Sequence, residues 1–136
     1  MGRSRAFFDT NVLVSAFLYG GKPQRCLDAA ASGHIVLVSS VHVITELVDV
    51  LGRPRLRADA DDVAVFLEDL TKLADVVPVG VVGEPIGCRD SDDEPVLLAA
   101  LLGRVDMIVT GDRGLLDLAD PPVPILTVDE ALSQLG

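Results

Sequence analysis

Short, almost purely apolar runs recur along this chain, separated by longer helical patterns, and that alternation constrains its fold more than any other feature. The runs are RAFFD (5–9), HIVLVS (34–39), DVVPV (75–79), DMIVT (106–110) and PILTV (124–128). None shows the in–out alternation of a sheet with one wet face. A continuous apolar run is what a parallel strand covered on both faces requires. Between the runs lie helical patterns over 11–18, 23–32, 40–51, 59–74, 93–103, 113–119 and 128–135. Strands alternating with helices predict an α/β fold, a three-layer α/β/α sandwich around a central, mostly parallel sheet. The Gly-rich stretch VGVVGEPIGCRD (79–90) reads as a loop or irregular segment. No repeat, low-complexity tract or linker divides the chain, so residues 1–136 are expected to form a single domain.

At 136 residues the chain can bury a real core, and with 49 % hydrophobic residues but only 4 % aromatic and no Trp, that core must be Val, Leu, Ile and Ala. The longest apolar stretch, VLLAALL (96–102), is too short to span a bilayer. The start, MGRSRAFFDT, lacks the apolar core of a signal peptide. Cys26 and Cys88 fit no metal or redox spacing and suit reduced thiols, so a cytoplasmic protein with no membrane association is expected. The net charge of −10 argues against broad non-specific attraction to nucleic acid and suits a protein that binds cations or a basic partner. It does not exclude nucleic-acid chemistry, because acids that hold metal ions cleave nucleic acids. The arginines are uneven, with Arg53, Arg55 and Arg57 inside RPRLR.

In open parallel sheets, ligands sit beyond the carboxyl ends of the strands, so the residues that follow each strand matter most. After RAFF come Asp9, Thr10 and Asn11; after IVLV come Ser39 and Ser40, opening the helix that carries Glu46; after MIV come Thr110, Gly111 and Asp112. Two strands thus deliver an Asp to the same edge. Each acid also has a plain structural explanation. Asp9 and Asp112 can cap the helices that follow them, and Glu46 lies at the border of the polar half of its helix, which also holds His42, Thr45 and Asp49. The stretch DSDDEP (90–95) carries Asp90, Asp92, Asp93 and Glu94 ahead of VLLAALL, which is apolar all round and is expected to be buried. Pro95 is tolerated only in a first turn, which puts the helix start near Asp93–Glu94. A cap explains one acid there, not three within four positions. Asp117 reads as a solvated helix residue.

These segments taken in order, FFDTNVLVSAFL, SSVHVITELVDVL, DSDDEPVLLAA and IVTGDRGLLDL, resemble the PIN-domain nucleases, and in particular the VapC-like toxin component of prokaryotic toxin–antitoxin systems. The resemblance spans residues 6 to about 128. It implies a PIN-like fold and an acidic quartet of Asp9, Glu46, Asp93 and Asp112, with Asn11 and Thr110 as supporting polar residues. Asp93 is the match among the crowded acids because it opens the apolar helix; Asp90 and Asp92 are flanking. One position departs from the pattern: many relatives carry an acid two residues after the Asp of the T-x-D motif, and here that residue is Gly114. The resemblance also implies a single-stranded RNA substrate, a homodimer, and a cognate antitoxin that would place a basic residue in the acidic cleft.

Four converging carboxylates cannot all stay ionised without a cation. An oxygen-only set without a Cys/His cluster points to Mg²⁺ or Mn²⁺ rather than Zn²⁺. Such an ion activates water and stabilises charge on a leaving oxygen; with the RNA substrate that the resemblance implies, this gives a metal-dependent endoribonuclease. In this scheme Asp9, Asp93 and Asp112 hold the metal, and Glu46 ligates or takes a proton from the attacking water. Arg113 and RPRLR are the nearest candidates for phosphate contacts, with a solvated surface role the commoner fate of any one of them. A response-regulator receiver would need a Lys after the last strand, whereas the only lysines are Lys22 and Lys72. An aspartate-nucleophile phosphatase would need D-x-D-x-T, whereas the chain has Asp9, Thr10 and Asn11. The remaining alternative is a catalytically silent PIN domain acting as an RNA- or protein-binding module, which Gly114 keeps open.

Overall fold

In the computed structural model, which describes residues 3–80 and 94–135, five strands pair in one wholly parallel sheet. They are β1 (Ser4–Phe8), β2 (Ile35–Ser40), β3 (Asp75–Val77), β4 (Met107–Val109) and β5 (Ile125–Leu126), in the order β3-β2-β1-β4-β5. The helices are α1 (Thr10–Tyr19), α2 (Gly21–Ala31), α3 (Val41–Leu51), α4 (Ala60–Leu73), α5 (Glu94–Leu102), α6 (Arg113–Leu116) and α7 (Val128–Leu135). The apolar runs are explained by burial on both faces. Ala6, Phe7 and Phe8 of β1, Leu37 and Val38 of β2, and all of β4 are buried, as the middle layer of an α/β/α sandwich must be.

Element ends moved where a side chain or a missing N–H intervened. β1 closes at Phe8 because the Asp9 carboxylate accepts from Thr10 N and caps α1. β3 stops at Val77 because Pro78 has no N–H for the ladder. β5 shrinks to Ile125–Leu126 because Thr127 leaves the sheet for a capping box: Glu130 N donates to its hydroxyl, and Thr127 N donates to the Glu130 carboxylate. A single 3₁₀ turn, Pro54–Leu56, occupies the RPRLR segment. Most of the loop expected at 79–90 lies outside the described residues, as do Cys88, Asp90, Asp92 and Asp93.

One expectation is corrected. The VLLAALL helix is not buried all round: Pro95, Val96, Ala99 and Ala100 are, whereas Leu101 and Leu102 are 56 % and 61 % exposed. A helix apolar on every face has no amphipathic bias to orient it, so shape decides. The small Ala99 and Ala100 allow close approach to the sheet. The following Gly103 seats so tightly that a Cβ there would lie 2.6 Å from Val38 Cγ1. That seating turns the terminal leucines outward.

At the amino end of the sheet Arg5 ties the layers together. Its Nε donates to Gly103 O at 2.8 Å, its Nη2 to Asp75 at 2.6 Å, and its backbone N to Asp106 at 2.8 Å. The opposite, carboxyl edge is left for the acids.

Candidate active site

The sheet order reverses between β1 and β4: the chain runs outward from β1 through β2 to β3, then returns to the other side for β4 and β5. Such a switch point leaves a crevice at the carboxyl ends of the two strands. Asp9 follows β1 there and Thr110 follows β4, with Asp9 N donating to Val109 O at 2.9 Å across the junction.

Thr110 positions both aspartates. Its buried hydroxyl donates to Asp9 Oδ2 at 2.8 Å and accepts from Asp112 N at 3.0 Å. Asp112 in turn caps α6, its Oδ1 accepting from Gly114 N at 3.0 Å. Asn11 bridges the same two loops, with Nδ2 3.4 Å from Asp9 Oδ2 and Oδ1 accepting from Gly111 N at 3.2 Å. Glu46 reaches the group from α3, where its carboxylate accepts from the Thr10 hydroxyl. The start of α3 is held by Ser40 Oγ, which accepts from Val43 N at 3.1 Å, and by His42 N, which donates to Val79 O at 2.7 Å.

Asp9, Asn11, Glu46 and Asp112 line one cavity of about 440 Å³, whose walls include Val14, Val50, Val96 and Leu115. Burial raises the Asp9 pKa above its ordinary 3.8; the Thr110 hydroxyl and Thr10 N–H oppose the rise, and the Glu46 and Asp112 carboxylates add to it. This is the pattern of a carboxyl group short of positive charge. Oxygen donors of this kind suit a hard divalent cation. Among the described residues no three His, Cys, Asp or Glu side chains form a complete metal-holding group, and Asp93 is outside them.

Of the residues expected at the site, Asp9, Asn11, Glu46, Thr110 and Asp112 converge. Asp117 does not line the cavity; it caps the end of α6 and is exposed. Neither does Arg113. Arg53 pairs with Asp49 at 3.1 Å, and Arg53 and Arg57 line a separate groove beside the 3₁₀ turn. Sequence reasoning missed the Thr10 hydroxyl as the link to Glu46, and the places of Ser15 and His42 in the cavity wall. Thr10 and Ser15 gave no signal beyond ordinary helix polarity; His42 at least shares the polar half of α3 with Glu46, one turn away.

With this geometry in place, the match of the PIN-domain family model to residues 5–114 is decisive, since it covers every converging residue. The chain belongs to the PIN-domain family. That family consists of nucleases. In fold, this PIN domain is similar to a chain of VapBC2 from Rickettsia felis, crystallised with a DNA fragment from their promoter, at a TM-score of 0.62 and 13 % identity over 90 % of this chain and 98 % of that one. It is likewise similar to PAE2754 from Pyrobaculum aerophilum, at a TM-score of 0.63 and 17 % identity over 97 % of this chain and 89 % of that one. Among curated proteins, no sequence matches this chain.

Proposed function

We propose that residues 1–136 act as one PIN-like unit, a Mg²⁺- or Mn²⁺-dependent endoribonuclease that hydrolyses phosphodiester bonds of single-stranded RNA, and that this unit is the toxin of a cytoplasmic toxin–antitoxin pair. The observation that carries the reading is the meeting of Asp9, Glu46 and Asp112, brought from three elements to one cavity at the switch point of the sheet. Asp9, Asp112 and Asp93 are the residues that would hold the cation. Val96 of α5 lines the cavity, and Asp93 immediately precedes that helix in sequence, which supports its inclusion. The ion would supply Lewis acidity toward the phosphate and a more acidic bound water. The protein's own part is to orient the Asp9 carboxylate through Thr110 and Asn11, and to fix Asp112 through its backbone N–H on Thr110 and its carboxylate on Gly114 N. Glu46, oriented by Thr10, would join them as a ligand or accept a proton from the attacking water. The likeness to a VapBC2 chain supports an antitoxin partner; the net charge of −10 suits a basic one and is compatible with the homodimer that we also propose.

The test is RNA cleavage with Mg²⁺ or Mn²⁺, comparing wild type with Asp9→Asn. Loss of activity in the variant by more than about 100-fold, the upper end for removing a supporting group alone, is expected. Equal activity in the two proteins would refute the site. Bound but uncut RNA across metals would favour the silent binding module, for which the specific observation is that position 114 offers only a backbone N–H to Asp112.

A further inference from the structure

The cavity that holds the carboxylates has a neighbour with which it shares part of its wall. A second lobe of about 530 Å³ shares Asn11 and Ser15 with it and continues along the carboxyl edge over β4 and β5, past Thr110 and Gly111 to Lys22 and Asp129. Asn11 forms the ridge between the lobes, since it touches Asp9 on one side and Gly111 N on the other. Both volumes fall in the range of about 300–1,000 Å³ typical of small-ligand pockets. Among the described residues lining the two lobes, Lys22 is the only Lys or Arg, and it lines the second lobe rather than the one with Asp9, Glu46 and Asp112. Its ammonium contacts Asp129 at 2.8 Å, but the two side chains are 60 % and 72 % exposed, so the pair is weakly held and open to exchange.

We infer that the second lobe carries the nucleotide flanking the scissile phosphate, with Lys22 leaving Asp129 to contact that nucleotide's own phosphate. This rests on the ribonuclease reading above. A polyanion entering a cleft of a strongly acidic protein needs a counter-charge outside the metal site, and Lys22 is the residue placed to supply it. A strand needs a second site beside the first, and the wall that the two lobes share at Asn11 and Ser15 puts one there.

The test is the anisotropy of a short fluorescein-labelled oligouridine, measured in Mg²⁺ from about 50 to 200 mM salt. The parent protein carries Asp9→Asn so that the RNA stays uncut. Adding Lys22→Ala should weaken binding and make the slope of log affinity against log salt shallower by about 0.7, the share of one phosphate contact on a single strand. Asp129→Asn should tighten binding, because it frees Lys22. Lys72→Ala, at a residue that pairs with Glu68 on α4 and lines neither lobe, should change nothing. Lys22 is exposed, so a circular dichroism spectrum identical to the parent's is expected. If the parent binds RNA and Lys22→Ala has the same affinity and slope, this inference is overturned, the ribonuclease reading stands, and the lobe is left to a protein or second-copy occupant. If neither the parent nor the wild type binds or cuts the RNA, both fall together.

Discussion

Asp9 shows how one residue serves structure and chemistry at once. It ends a strand, caps a helix and sits half-buried beside two other carboxylates. Its pKa is raised in the folded state, so between 3.8 and the raised value the folded protein binds more protons than the unfolded chain. Asp9's favourable contribution is therefore complete below the unfolded value and is lost as pH rises through the folded value. In the metal-free protein, thermal melts should show stability falling across that window, and Asp9→Asn should flatten this part of the pH profile. Thr110→Val tests positioning: the hydroxyl that orders Asp9 and Asp112 disappears while the shape is kept, and cleavage should drop by about 10–100-fold. Ser39 is a contrasting case. Its hydroxyl is buried with no hydrogen-bond partner among the described residues, so Ser39→Ala should leave the melting temperature unchanged or higher.

Among the elements, α3 depends on a neighbour the chain reaches only after α4 and β3. His42 N is satisfied by Val79 O, and Gly80 follows at φ +91 so close that a Cβ would lie 2.5 Å from His42 Cβ. Gly80→Ala should destabilise by ~1–3 kcal/mol in denaturant titrations and, by displacing α3, should also lower cleavage through Glu46. Helix α5 makes the opposite point. Leu102→Ala, on its exposed face, should cost less than about 0.5 kcal/mol, whereas Ala99→Leu against the sheet should cost ~1–3 kcal/mol. The strands and long helices were legible because periodicity and β-branching are local properties. Which face of α5 would be covered was not, because a helix apolar all round contains no directional signal and the small residues that seat it act only against Val38 and its neighbours.

Across the whole molecule, one sheet separates two kinds of polar end. The amino edge is closed by Arg5, Asp75 and Asp106, and the carboxyl edge gathers Asp9, Glu46 and Asp112, none of them in an ion pair among the described residues, in a chain of net charge −10. That charge distribution predicts a strong response to divalent cations: at about 100 times the dissociation constant, Mg²⁺ or Mn²⁺ should stabilise wild type by ~2.7 kcal/mol, with most of the effect lost in Asp9→Asn. Equal stabilisation of both proteins would place the cation elsewhere. Among the described residues no helix is long and apolar enough to cross a membrane.

The sequence by itself determined the class of fold, the parallel sheet and the residues at the strand ends, because hydrophobic period, Pro and Gly placement and capping chemistry operate over a few neighbours. It also singled out Asp9, Glu46 and Asp112 as residues of interest. Only the tertiary structure decided that a threonine on β4's loop orders both aspartates, that Thr10 reaches Glu46, and that Lys22 shares a groove with them. The Thr10–Glu46 and Thr110–Asp9 contacts join positions 36 and 101 residues apart, and no local pattern encodes them; the second exists because the strand order brings the ends of β1 and β4 together.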